Sequence, residues 1–170
     1  MSTETLPTST LTEEQLGLLY QYTVEAYKTF EKLAENLPNP LTATMFKQFA
    51  VDERDVRDLL EMKVAALGRA RGARATLGPD MQFSEIHEGD LSYREASEFL
   101  IAREKTMLRR LDELTRSASP ADHNLLVYIA TEKRAHIAEL ERELALIRND
   151  TDWWRREDAE DRIVHGSAIR

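Results

Sequence analysis

Residues 126–147 read LVYIATEKRAHIAELERELALI, a spacing typical of one face of a long helix. Side chains three and four positions apart fall on the same side of a helix. This face consists of Leu126, Ile129, Lys133, His136, Leu140, Leu144 and Ile147. Lys133 and His136 interrupt an otherwise apolar stripe at its middle. Because burying an unpaired lysine costs several kcal/mol, we expect partners for Lys133 on neighbouring helices.

Local signals mark where each helix begins. Thr12 and Ser92 are each followed three residues later by Gln or Glu, the spacing of a capping box. Asn39 and Ser119 each precede a proline, which is favoured at the first helical position. These signals predict four helices, over about 13–37, 40–67, 93–118 and 120–149.

A polar side chain interrupts the apolar stripe of every predicted helix near its middle. The interruptions are Thr23, Glu53 and Glu104 in the first three helices, and Lys133 with His136 in the fourth. Counted from the helix starts, they lie at a similar height. We therefore predict one buried polar layer.

Composition narrows the class of protein. The chain has 170 residues, 32% of them charged, a net charge of −8 and no cysteine. The acidic balance argues against nucleic-acid binding, and the lack of cysteine excludes disulfides and thiolate metal sites. No apolar run approaches the ~20 residues of a membrane span, and no signal peptide is evident. We expect a cytoplasmic protein with no membrane partner.

The predicted helices imply a particular architecture. Residues 73–91 form a long connector, of the kind that joins two parallel helices along the length of a bundle. We predict an all-α, ferritin-like four-helix bundle over 12–149 with this one long crossover connection. A flexible tail over 1–11 precedes it, and a short C-terminal arm over 150–170 follows.

Several segments resemble rubrerythrin-type ferritin-like proteins. Residues 46–56, FKQFAVDERDV, are similar to the family's second helix, which reads F-x-x-x-A-x-x-E-x-x-H. Residues 99–114 and 128–140 resemble its third and fourth helices, and 23–35 resemble its first.

The resemblance implies a di-iron site built from four glutamates and two histidines. It places Glu53, Glu104 and His136 on ligand positions of the family. The departures are Thr23 for a glutamate, Val56 for a histidine and Lys133 for a glutamate. The di-iron site is thus degenerate, with three of six ligands kept.

Three interpretations of the polar layer follow. In the first, the Lys133 ammonium neutralises Glu53 and Glu104, while Thr23 and His136 fill the remaining hydrogen bonds, and no cofactor is bound. In the second, Glu53, Glu104 and His136 hold a metal ion, iron by the resemblance. In the third, both glutamates merely flank the core and reach solvent.

These interpretations lead to different functions. A metal-free layer favours a non-catalytic structural or interaction module. A surviving metal site favours an oxidoreductase of the ferroxidase or peroxidase type, and the sequence leaves open whether the protein is an enzyme. Small-molecule binding near Tyr20, Tyr27, Met107 and His136 is a third possibility.

The arm suggests where partners bind. Trp153 and Trp154 are the only tryptophans and stand before a run of mixed charge. We expect their indoles to pack on the end of the bundle, on a second subunit or on another protein. A homo-oligomer, most simply a dimer, is the usual state of such bundles.

Overall fold

The computed structural model describes residues 8–68 and 75–166, and these are helical with no β-strand. The α-helices are α1 (Glu13–Asn36), α2 (Pro40–Ala66), α3 (Ser84–Glu88), α4 (Tyr93–Arg116), α5 (Pro120–Asn149) and α6 (Ala159–His165). Short 3-10 helices lie at Pro79–Met81 and Trp153–Arg155. The prediction of an all-α protein is confirmed.

The predicted helix starts are confirmed, with one difference. Capping boxes form at Thr12 and at Ser92, and Asn39 accepts hydrogen bonds from the first backbone N–H groups of α2. Ser119 occupies the N-cap position of α5 but does not cap a backbone N–H. Its hydroxyl instead donates to a carboxylate oxygen of Asp122, 3.1 Å away.

The four long helices pack with their neighbours antiparallel. α1 packs along α2, and α4 packs along α5. At one end of α2, Lys63 bonds to the first turn of α5. At the other end, Thr42 contacts Glu143, which is near the end of α5. α2 and α5 therefore run antiparallel with their middles at the same height, where both contribute to the polar layer.

The segment before α1 is anchored where the sequence predicted a flexible tail. Residues 1–7 lie outside the described residues, but Leu11 is buried. Asp122 accepts hydrogen bonds from Ser9 and Thr10 and pairs with Lys63 at 2.7 Å. Although burial favours protonation, these donors hold the pKa of Asp122 well below its usual range. The carboxylate thus ties residues 9–11 to α2 and α5.

The C-terminal arm packs on the end of the same chain. Trp153 and Trp154 are both buried. The Trp153 indole donates to Glu143 at 2.7 Å, and the Trp154 ring meets Phe46 edge-on and lies against Tyr93. At this end of the fold, the surface open to a partner is therefore formed by α6 and not by the indoles.

The connector between α2 and α4 has more structure than its sequence predicted. Residues 69–74 lie outside the described residues, and the rest includes α3 and a 3-10 turn. Met81 and Phe83 are buried, and Arg103 donates to the carbonyl of Gln82 at 2.7 Å. Charged residues recur along the described helices. None of these helices has the length and hydropathy that a membrane crossing requires.

Candidate functional site

The site is a layer of charged side chains in the middle of the core. α2 contributes Glu53, α4 contributes Glu104, and α5 contributes Lys133 and His136 one turn apart. The two glutamates are 0% exposed, and Lys133 and His136 are 1% exposed. The interpretation in which the glutamates reach solvent is therefore wrong. All four residues that the sequence placed in the layer on these helices come together.

Lys133 holds the two glutamates. Its ammonium forms an ion pair with Oε1 of Glu53 and lies 3.3 Å from Oε2 of Glu104. The same nitrogen lies 5.2 Å from the centre of the Tyr22 ring, within range of a cation–π contact. One cation thus links α2, α4 and α5.

His136 bonds to carboxylates through both ring nitrogens. Nδ1 lies 2.8 Å from Oε1 of Glu104, and Nε2 lies 3.0 Å from Oδ2 of Asp52. Both nitrogens face acceptors, so the geometry suits a doubly protonated imidazolium. Phe49 stacks on the ring with centroids 4.0 Å apart, which fixes the plane of the imidazole.

Two members of the network were not predicted from the sequence. The hydroxyl of Tyr22, which is fully buried, donates to Oε2 of Glu104 at 2.7 Å. Asp52, which is not among the predicted members of the layer, is half-buried and reaches His136. Asp52 was the harder to foresee, because it lies at the edge of the buried face.

Thr23 does not take the role predicted for it. It is buried, but its hydroxyl donates to the backbone carbonyl of Leu19 at 2.7 Å, and the described contacts do not link it to the charged layer. A threonine hydroxyl within a helix commonly bonds to the carbonyl four residues earlier. The position of Thr23 in the sequence therefore could not decide between the Leu19 carbonyl and the charged layer as its partner.

Burial and charge oppose one another in this layer, and charge decides most ionisation states. For Glu104, burial would raise the pKa, but Lys133 and His136 lower it to about 2. For Glu53, burial dominates and raises the pKa despite Lys133. Burial would lower the pKa of Lys133, yet the two glutamates raise it.

Burial and charged partners also act in opposite directions on the pKa of His136. Burial would lower the pKa of His136, but hydrogen bonds to Asp52 and Glu104 raise it to about 9. With both glutamates ionised and both Lys133 and His136 protonated, the four buried side chains carry two negative and two positive charges. Such a set is electrically neutral without any further ion.

The same residues also contain the donors that a metal ion would use. One atom each from Glu53, Glu104 and His136 lies within 4.8 Å of the other two. Oε2 of Glu53 has no hydrogen-bond partner among the described residues. Iron does not fit the set as it stands, because Lys133 holds its cation between the carboxylates and both nitrogens of His136 face acceptors.

The aromatic residues considered for small-molecule binding do not surround one space. Met107 is buried in the core, whereas Tyr20 and Tyr27 are half-buried at the edges of α1. The hydroxyl of Tyr20 donates to Glu61 on α2, 3.1 Å away. The tyrosine that reaches the charged layer is Tyr22.

No protein-family model, curated protein or solved structure matches this chain. The resemblance to rubrerythrin-type proteins therefore stays a prediction from the sequence.

Proposed function

We propose that the protein is a ferritin-like, rubrerythrin-related module whose di-iron site has been replaced by a metal-free network. Its role is structural or in protein interaction, and it is not catalytic. The observation that carries this proposal is the Lys133 ammonium, which pairs with Glu53 and Glu104 at the centre of the core.

The helix directions support a ferritin-like bundle. α2 runs antiparallel to α5, and so does α4, since Ser97 lies near Leu140 while Asp112 pairs with Arg134. α2 and α4 therefore point the same way, so the end of α2 and the start of α4 lie at opposite ends of the core. This is the arrangement that a bundle with one long crossover requires.

Charge supports a layer without metal. A divalent ion added between Glu53 and Glu104 would place two positive charges beside the ammonium of Lys133, all of them buried at short range. Coulomb repulsion at such distances amounts to several kcal/mol even at an effective dielectric constant of about 20. The layer has its positive charge already.

A second candidate function is a metal-binding oxidoreductase of the ferroxidase or peroxidase type. The close approach of donor atoms from Glu53, Glu104 and His136 favours it. It requires Lys133 to give up its place between the carboxylates. This requirement makes it the second choice.

Metal analysis separates the two candidates. The purified protein is incubated anaerobically with Fe(II), desalted and assayed for iron, beside Glu53→Ala and the exposed control Glu141→Ala. We expect no retained iron in any of the three proteins. One iron per chain that is lost in Glu53→Ala and kept in Glu141→Ala would overturn the metal-free proposal.

We also propose that the chain forms a dimer through its C-terminal arm. Ile163 and Val164 of α6 are 59% and 72% exposed, which offers apolar surface without disturbing the buried tryptophans. In light scattering, the wild type should have the mass of a dimer and Ile163→Ser/Val164→Ser that of a monomer. A monomeric wild type would refute this part of the proposal.

A further inference from the structure

The position of the Lys133 ammonium has a consequence for metal binding. We infer that the layer is a built site for a single divalent transition-metal ion, in which the ammonium of Lys133 takes the ion's place. Removal of this one side chain should therefore create metal binding, with Thr23 and Val56 left unchanged. The inference rests on the proposed function, since it requires that Lys133 keeps the wild-type layer free of metal.

The donors around the ammonium are those of a metal site. Oxygens of Glu53 and Glu104 approach it from two helices, and Nδ1 of His136 lies 3.8 Å from Oε1 of Glu53. Glu53 is fully buried and keeps one oxygen without a hydrogen-bond partner among the described residues. A fully buried carboxylate with a spare oxygen is costly unless a cation uses it. The set gives two carboxylates and one imidazole.

The surroundings of His136 hold its ring in the orientation that is typical of a metal-binding histidine. A histidine that binds a metal through one nitrogen commonly donates its other N–H to a carboxylate. Here Nε2 faces Asp52 while Nδ1 faces the glutamates. The stacked ring of Phe49 keeps the imidazole in that plane. To bind an ion, Nδ1 would give up its proton and its hydrogen bond to Glu104, while Nε2 keeps its hydrogen bond to Asp52.

The donor set selects a class of ion. One imidazole and two carboxylates suit zinc, cobalt(II), manganese or iron(II), and an ion held by three protein groups keeps positions for water. Calcium prefers six to eight oxygen ligands, and this layer does not supply them. Cobalt(II) is the useful probe, because its visible absorption reports the number and type of its ligands.

The test compares the wild type with Lys133→Ala and Lys133→Met. Methionine reaches about as far as Cε of lysine and vacates the position of the ammonium, while it fills more of the core than alanine. Each protein is titrated with Co(II) and Zn(II) and followed by visible absorption and calorimetry. We expect one ion per chain in the variants, bound at least about 100-fold more tightly than by the wild type.

The two variants also guard against a failure to fold. If Lys133→Ala is unfolded alone, folding on addition of Zn(II) supports the inference, because binding energy becomes folding energy. The matched control Lys105→Ala removes an exposed lysine of α4 that pairs with Glu141, and it should bind no ion.

Substitutions in the variant background locate the ion. Adding His136→Gln to Lys133→Met should abolish binding, and adding Asp52→Asn should weaken it about 10–100-fold. If neither Lys133 variant retains an ion, or if retention survives His136→Gln, the inference is wrong while the metal-free proposal stands. If the wild type itself holds an ion that His136→Gln removes, both are wrong.

Discussion

Replacing Lys133 with methionine should destabilise the fold by about 3–5 kcal/mol, the cost of breaking a buried ion pair by removing one partner. The buried set is neutral with Lys133 and His136 opposite Glu53 and Glu104, and the substitution leaves one carboxylate charge uncompensated. For a chain of this length, the loss corresponds to a fall in Tm of roughly 6–20 °C.

A compensating change tests whether charge is the cause. Glu53→Gln in the same chain restores neutrality, so the double variant should recover at least about 2 kcal/mol relative to Lys133→Met alone. Glu53→Gln by itself should destabilise, because it leaves an excess cation. The deficit of Lys133→Met should shrink as the pH is lowered from about 8 to about 5, since a remaining carboxylate then takes up a proton.

Urea unfolding gives each free energy, with a chelator present so that no metal ion replaces the ammonium. The reasoning fails if Lys133→Met costs less than about 1 kcal/mol, or if the two substitutions add without coupling.

Three further predictions concern pH and the anchored termini. Because the pKa of His136 is raised from 6.5 to about 9, the stability that it contributes is fully present below about pH 6.5 and is lost as pH rises through 9, by at most about 3.5 kcal/mol. Urea midpoints of the wild type should show this fall, and those of His136→Gln should not. The pKa of Asp122 is lowered, so its contribution is present above about pH 4 and lost in acid. Asp122→Asn should therefore cost about 2–3 kcal/mol at pH 7 and progressively less below pH 4. An equal cost at pH 7 and below pH 4 would contradict the stabilising role given to the Asp122 carboxylate. Trp154→Ala should cost about 3–5 kcal/mol, whereas the control Met62→Ala, at a residue that is 67% exposed on α2, should change the thermal midpoint little.

Helical spacing and capping signals predicted the long helices, because both act within one or two turns of the chain. They also predicted which positions break the apolar stripes. Glu53, Glu104, Lys133 and His136 are all buried where the spacing placed them. Helix geometry fixes the face on which each side chain lies, so a charged residue in the middle of a strong apolar stripe is buried together with that stripe.

The exact face of a weaker stripe was harder to predict. In α1, the predicted ligand site used Tyr20 and Tyr27, which are half-buried, whereas Tyr22 and Ala26 are fully buried. Successive residues differ by about 100° around a helix, so a small rotation exchanges one tyrosine for another. The packing of Tyr22 on Phe83, 5.3 Å away in the connector, is a contact that spacing within α1 does not report.

The same limit applies at both ends of the chain. The residues before α1 and after α5 show no helical period, yet Leu11 and both tryptophans are buried. Their burial depends on contacts between distant parts of the sequence, such as Asp122 with Thr10 and Phe46 with Trp154. Local patterns cannot reveal partners that are far apart in the chain.

The energetic role of the layer follows from its geometry. A buried, fully paired ion network adds little net stability compared with apolar residues of the same size. What it adds is register: Lys133 meets Glu53 and Glu104 together at one relative height of α2, α4 and α5. Sliding one helix by a turn would move its side chain about 5.4 Å and leave a charge unpaired in the core. Apolar layers tolerate such a slip far better. A lysine buried between two glutamates can thus fix the alignment of the helices, and this alignment is what the proposed structural or interaction module requires.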